Sequence, residues 1–281
     1  MLSMFSGRKL VIATMHGKEK VIAPLLEQAL GVTCIVPESF NTDLLGTFTG
    51  EKEREEDPLA TARKKCLLAM EATGCDMGIA NEGSFGPHPS LYFIGADDEL
   101  VIFIDQKNNL EIIAREISTE TNFSYKEIAQ EKELMEFAGQ VMFPSHGLIL
   151  RKSRQEQTDI VKGITDMPTL LDTYQTMAAK YPMVGVETDM RAMYNPTRMK
   201  VIEIATKKLI EKIQTACPAC QMPGFSITDA KTGLPCDLCG SPTRSVLAYI
   251  YQCTHCGFSE EKHYPHNKQT EDPMYCDHCN P

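Results

Sequence analysis

Eight of the chain's eleven cysteines fall in its last 65 residues as four Cys-x-x-Cys pairs: Cys217/Cys220, Cys236/Cys239, Cys253/Cys256 and Cys276/Cys279. A two-residue gap lets both thiolates of a pair face one metal ion at about 2.3 Å, so two pairs close a tetrahedron. The eight thiols therefore predict two structural zinc ions. A disulfide or redox cluster is the competing chemistry, and four pairs at ligand spacing favour the metal. Gly240 and Gly257 each follow the second cysteine of a pair, where a knuckle turns back and a Cβ is costly. Spacing leaves open which pairs share an ion. Sequential pairing joins the first pair to the second across 15 residues and the third to the fourth across 19. Nested pairing joins the second to the third across 13 and leaves the outer pairs to the other ion. Sequential pairing is the slightly closer fit to a zinc ribbon.

Three polar segments nearer the N-terminus also hold groups able to do chemistry. Residues 13–20 follow an apolar run and carry Gly17, Lys18 and Lys20. Amides at the start of a helix, with lysines beside them, make a seat for phosphate, although the G-x-x-x-x-G-K-[ST] spacing of a P-loop is absent. Residues 80–89 crowd Asn81, Glu82, Ser84 and His88 into what reads as a loop after a strand. In open α/β sheets such strand ends line the ligand crevice. Residues 187–199 hold Asp189, Arg191, Asn195 and Arg198. Asn195 suits the cap of a helix that has Pro196 in its first turn. Arg191 and Arg198 suit bidentate contacts to phosphate or carboxylate; alternatively, one of them pairs with Asp189 and only fixes the loop. If these segments form one site, Lys18, Glu82 and Arg198 face a common pocket.

The elements that must position these groups alternate. Lys9–Thr14, 33–36, 76–80, 91–94, 101–105, 111–114, 148–150 and 183–187 read as strands. Helices are expected from Gly17 to a stop at Gly31, from Pro58 to about Gly74, over 125–140 and 168–181, and from Pro196 to about 214. Pro24 should kink the first helix or mark its true first turn. The pattern predicts a mixed-sheet α/β sandwich over residues 1–212, as a ligand-binding or catalytic domain. A small double zinc-ribbon module follows over 213–281. Leu247–Cys253 reads as a strand running into a knuckle. Cys34, Cys66 and Cys75 lie in apolar surroundings and are expected to be packed thiols.

A net charge of −10 disfavours nucleic acid as a general partner. The tail, 213–281, has four Lys/Arg against seven Asp/Glu, and each zinc with four thiolates adds about two negative charges. Phosphate backbones are held mainly by Lys and Arg, so a structural or protein-contact role suits the ribbons better. No signal-peptide pattern or apolar run of about 18 residues is present. With unexported zinc thiolates, that points to the cytoplasm.

The segments Thr49–Glu51, Asn81–Pro89 and Asp189–Met199, together with the four cysteine pairs, resemble a mainly bacterial family of domains of unknown function. That resemblance covers essentially the whole chain and implies no activity. Over residues 9–100 the chain is also similar to the inosine triphosphate pyrophosphatase superfamily. Ala13–Lys18 resembles its Thr/Ser-x-Asn-x-x-Lys loop, Thr61–Lys65 its Asn-Ala-x-x-Lys segment, and Gly78–Gly83 its strand and acidic loop. His16 and Thr61 stand where that pattern has asparagines, and Lys18 falls one position early.

Two functions of different class follow. In the first, the α/β domain is a metal-dependent hydrolase of a nucleotide or other phosphorylated small molecule. Lys18, Lys20 and Lys65 hold phosphates, with Ser84, Arg191, Asn195 and Arg198 lining the site. Glu82 is the catalytic carboxylate and, with Glu56 or Asp57, places Mg²⁺. In the second, the protein is a non-catalytic zinc-ribbon adaptor that binds a protein or metabolite.

Overall fold

The computed structural model describes residues 4–37, 57–156 and 158–281. Thr49–Glu51 and Glu56, used above, lie outside these residues. The described residues divide into a larger unit, drawn from 4–107 and 113–210, and a smaller one, 108–112 with 211–281.

From the N-terminus the elements are β1 (Lys9–Ala13), α1 (Glu19–Leu30), β2 (Thr33–Ile35), α2 (Pro58–Thr73), β3 (Met77–Pro87), β4 (Gly95–Asp105) and β5 (Leu110–Ser118), the last with its first three residues assigned to the smaller unit. These strands form a five-stranded sheet in the order β2-β1-β3-β4-β5. β1 pairs in parallel with both β2 and β3, whereas β3 and β4 are antiparallel. The sheet is therefore mixed, as the sequence predicts. Gly31 and Gly74 end α1 and α2 in the left-handed region, each with φ of 67°. Pro24 sits inside α1. Asp57 caps α2, its carboxylate accepting from the amides of Leu59 at 2.9 Å and Ala60 at 3.1 Å. That duty is structural.

One face of the sheet carries Val11, Ala13, Ala80, Ile102 and Ile104. Ala62, Cys66, Ala69 and Met70 of α2 pack on it, so Cys66 is a core thiol. The helix comes close because residue 78 is glycine: a Cβ there would lie 2.8 Å from the Cys66 sulfur and 2.7 Å from Met70.

The rest of the larger unit supplies β6 (Tyr125–Ile128), α3 (Glu131–Gln140), β7 (Leu148–Arg151), β8 (Ile160–Ile164), α4 (Met167–Ala178), β9 (Val184–Thr188) and all but the last four residues of α5 (Pro196–Gln214). Its sheet, ordered β6-β9-β7-β8, is antiparallel throughout. Leu134 and Phe137 from α3, and Leu170, Tyr174 and Met177 from α4, share a core with Leu148, Leu150, Val184 and Val186. Tyr125–Ile128, read as the start of a helix, is instead a strand, and α3 begins after Gln130. Glu133 accepts from the amides of Ala129 and Gln130, and the boundary sits at this capping box.

The smaller unit is a meander of β10 (Ser226–Thr232), β11 (Val246–Gln252) and β12 (Ser259–His263). Among the described residues, no helix is long and apolar enough to cross a membrane.

Candidate functional site

Two groups of residues invite chemistry, one in each unit. In the smaller unit the thiols gather as Cys217, Cys220, Cys253 and Cys256, and as Cys236, Cys239, Cys276 and Cys279. Within each quartet all four sulfurs lie within 4.8 Å of one another. Each quartet can hold a metal ion. The pairing is crossed, first with third and second with fourth, so both the sequential and the nested arrangement are corrected.

Strand register explains the crossing. β10 opens just after the first knuckle and β11 closes just before the third, and Ser226 pairs with Gln252. Antiparallel pairing therefore brings these two knuckles to one end of the sheet. The second knuckle lies in the turn between β10 and β11, at the other end, where Thr232 pairs with Val246. β12 then runs back along β11, with His263 opposite Ala248, and delivers the chain and its last pair to that second end. An isolated bridge between Cys236 and Glu271 ties the two segments. Gap length decides little here, and strand direction decides the pairing.

The four knuckles share one geometry. The residue after the second cysteine (Gln221, Gly240, Gly257 or Asn280) donates its amide to the carbonyl of the first, at 2.8–2.9 Å. Gly240 and Gly257 have φ of 72° and 74°, as their position predicts, and Gln221 adopts 62° without being glycine. The first cysteine of every pair is buried, whereas Cys239 and Cys256 are exposed.

In the larger unit, buried charges meet near the carboxyl ends of the parallel strands. Lys18 is buried, and its Nζ donates to the carbonyl of Asn81 at 3.2 Å. Burial, reinforced by Arg198, pushes its pKa down to about 8, against the pull of Glu99 and Glu82. Lys65 on α2 forms an ion pair with Glu82. Arg198 is fully buried at the start of α5: its Nε donates to Glu99 Oε1 at 2.6 Å and its Nη1 to the carbonyl of Met190 at 2.6 Å. Its guanidinium stands over the Phe85 ring, 5.2 Å from the centroid. Asn81 Nδ2 donates to Glu99 Oε2 at 2.8 Å. Burial opposes ionisation of Glu99, but Arg198 and Lys18 outweigh it and hold the carboxyl below its ordinary range.

The three polar segments thus approach one another, with one qualification of physical origin. Side chains alternate along a strand. Glu82 lies opposite Leu100 on the α2 face, whereas Gly83 lies opposite Glu99 on the other face, where Arg198 sits. Glu82 and Arg198 therefore belong to opposite faces of β3, and Lys18 reaches the backbone between them. The predicted common pocket for all three side chains is not the arrangement found. Ser84, half-buried, falls on the Glu82 face. Lys20 is exposed. Arg191 is bonded through Nη2 to Asp189 Oδ2 at 2.6 Å and lies over Tyr194, the loop-fixing alternative. Asn195 caps α5, accepting from the Arg198 amide at 2.9 Å, and its Nδ2 donates to Asn122 at 2.8 Å.

Sequence reasoning missed Asp97 and Glu99. Asp97, Asp98 and Glu99 lie between the expected strands 91–94 and 101–105, but residues 81–87, taken for a loop, pair with 95–101 and extend both strands. Leu91–Ile94, read as a strand, is the connection between them. The signal lay in alternation, since Asp97, Glu99 and Val101 continue the period-two pattern of β4.

An α/β unit with a buried polar site, joined to a cysteine-built module with two metal-holding quartets, is the class of protein these features define. The chain belongs to DUF6671, a family of domains of unknown function, whose model matches residues 65–281, about three quarters of the sequence. A search of curated proteins found no match. The inosine triphosphate pyrophosphatase superfamily is not among these findings.

Proposed function

We propose that the protein is a metal-dependent hydrolase of a nucleotide or other phosphorylated small molecule, whose C-terminal module is held by two structural zinc ions. The observation that carries the first part is Lys18. It is a buried ammonium with Arg198, Glu99 and Glu82 as neighbouring charges, and among the described residues one backbone carbonyl accepts from it. An ammonium has three donors; Glu99 and Glu82 act on its charge from nearby, but burying donors that are not all met is costly. A phosphate at the carboxyl ends of β1 and β3, where α/β sheets take their ligands, would offset that cost. Lys65, now paired with Glu82, could pass to the incoming phosphate and release Glu82 to activate water. The segments that resemble the pyrophosphatase superfamily, 13–18, 61–65 and 78–83, are the ones that meet here. For the second part, the sulfurs of Cys217 and Cys256, and of Cys220 and Cys253, are 3.7 Å apart. Cys236 and Cys279 are 3.9 Å apart, and Cys239 and Cys276 3.7 Å. A tetrahedron with bonds of about 2.3 Å has edges of about 3.8 Å.

The test is a thermal-shift and turnover panel of nucleoside mono-, di- and triphosphates and pyrophosphate, with and without Mg²⁺. Binding of at least one ligand, weakened by Lys18→Ala and retained by Glu82→Gln while turnover is lost, is the expected pattern. No shift and no turnover across the panel would bring the adaptor reading forward. One observation favours that second reading: Leu238, Met274 and Tyr275, beside the cysteines of one quartet, are 74%, 59% and 60% exposed. These apolar side chains are suited to a protein partner.

A further inference from the structure

We propose that Asp97 and Glu99, neighbours on one face of β4, hold a divalent cation of the Mg²⁺ or Mn²⁺ class, completed by the phosphate of the bound ligand. The cation part stands on its own residues; the phosphate part rests on the function proposed above.

The argument starts from an unmet need. Asp97 is 1% exposed, and among the described residues no donor reaches either of its carboxylate oxygens. Asn81 is 4% exposed, and its Oδ1 is likewise without a donor. Buried oxygens of this kind are rare and call for a partner such as a water or an ion. Alternation along β4 puts Asp97 and Glu99 on the same face, with Phe85 and Gly83 opposite them on β3. Glu99 accepts from Arg198 and Asn81, one donor on each oxygen. Each carboxylate oxygen has two lone pairs, so Glu99 keeps capacity for a cation while its position is fixed. Residue 83 must be glycine for this arrangement, because a Cβ there would collide with the Glu99 carboxylate and the Arg198 guanidinium.

A shared proton could also relieve the two carboxyls, and burial beside Glu99 does push Asp97 up to about 8. The two alternatives differ in charge and so in their response to an anion. Lys18 and Arg198 already match Glu99 and an ionised Asp97, so a dication leaves its own charge for an anion to balance. Mg²⁺ binds characteristically through one or two carboxylates plus substrate phosphates. The site so described wants metal and phosphate together. It also relieves Glu82 and Asp57 of the metal role expected of them, since Glu82 is held by Lys65 and Asp57 caps α2.

Full-length, zinc-loaded protein titrated with Mn²⁺ and followed by electron paramagnetic resonance tests this, with and without inorganic pyrophosphate. The expected result is one bound Mn²⁺, tightened by pyrophosphate and weakened at least about tenfold in Asp97→Asn. Asp98→Asn, whose carboxylate points to the other face and pairs with Arg115, should bind as the wild type does. Wild-type crystals soaked in Mn²⁺ give the same answer without a variant, through an anomalous peak between Asp97 and Glu99. Absence of Mn²⁺ binding under both conditions, unchanged binding in Asp97→Asn, or an anomalous peak elsewhere would overturn the proposal. Binding indifferent to pyrophosphate would uphold the cation and remove the phosphate from it.

Discussion

The two units solve the problem of holding polar groups in place by opposite means. In the smaller unit, β10 and β12 are largely exposed, and its apolar cluster is little more than Phe225 with Cys217 and Cys253. Its cysteines are a large part of its core. In the larger unit, helices bury two apolar cores, and Lys18, Glu99 and Arg198 are buried outside those clusters. The comparison teaches where a site costs stability and where it supplies it. Thiolates around a metal fold the chain, whereas buried charges in an apolar unit are a liability unless they are paired or serve a ligand.

Metal removal should expose this contrast most strongly. Structural zinc contributes about 10–16 kcal/mol in small zinc modules. A strong chelator should therefore abolish amide protection in β10–β12 while the strands of the larger unit keep theirs. Uniform loss of protection in both units would break the contrast.

A smaller effect is expected inside the larger unit. Arg198→Met leaves Glu99 buried without its guanidinium partner and should cost about 3–5 kcal/mol, read as a lower denaturation midpoint. Arg198→Met combined with Glu99→Gln should recover much of that loss, because the stranded charge is gone. A double variant as unstable as the single would mean that the pair is not the source of the cost.

The smallest effect concerns the start of α5. His146 is buried, and its Nε2 accepts from the Thr197 amide at 3.3 Å and lies 2.9 Å from Thr197 Oγ1. Burial holds the imidazole below its ordinary range, against the Met142 backbone contact. The unfolded chain therefore takes up a proton near pH 6.5 before the folded one does. Protonation favours unfolding, and stability should fall as pH drops through that window, by less than about 1.4 kcal/mol per pH unit. In His146→Gln this slope should flatten; an unchanged slope would place its origin elsewhere.

How much of this was legible depended on whether the cause was local. Cysteine spacing, the Gly74 and Gly31 stops, Pro58 and the Asn195 cap are local signals, and each element they mark is found. The crossed quartets were not legible, because β10 is a run of mostly polar residues, Ser226–Thr232, with no apolar alternation to mark it. Without β10 and β12 no register exists from which to derive a pairing. Asp97 and Glu99 were missed because a paired strand partner, residues 81–87, makes a strand of a segment rich in glycine and proline. That pairing is a tertiary effect on weak propensity. Arg191 shows the reverse case, where the sequence offered an ion pair or a ligand contact and only the geometry chose the pair with Asp189.

Metal content after paired cysteine replacement tests the strand-directed crossing most directly. The measurement is the number of metal ions that survive a competing chelator in two double variants. Cys217→Ser with Cys253→Ser strips two ligands from one quartet and should leave the other ion tightly bound. Cys217→Ser with Cys236→Ser takes one ligand from each quartet and should leave neither ion tightly bound. The opposite outcome, one ion kept by the second variant and none by the first, would mean that sequential pairs share a metal and would contradict the account.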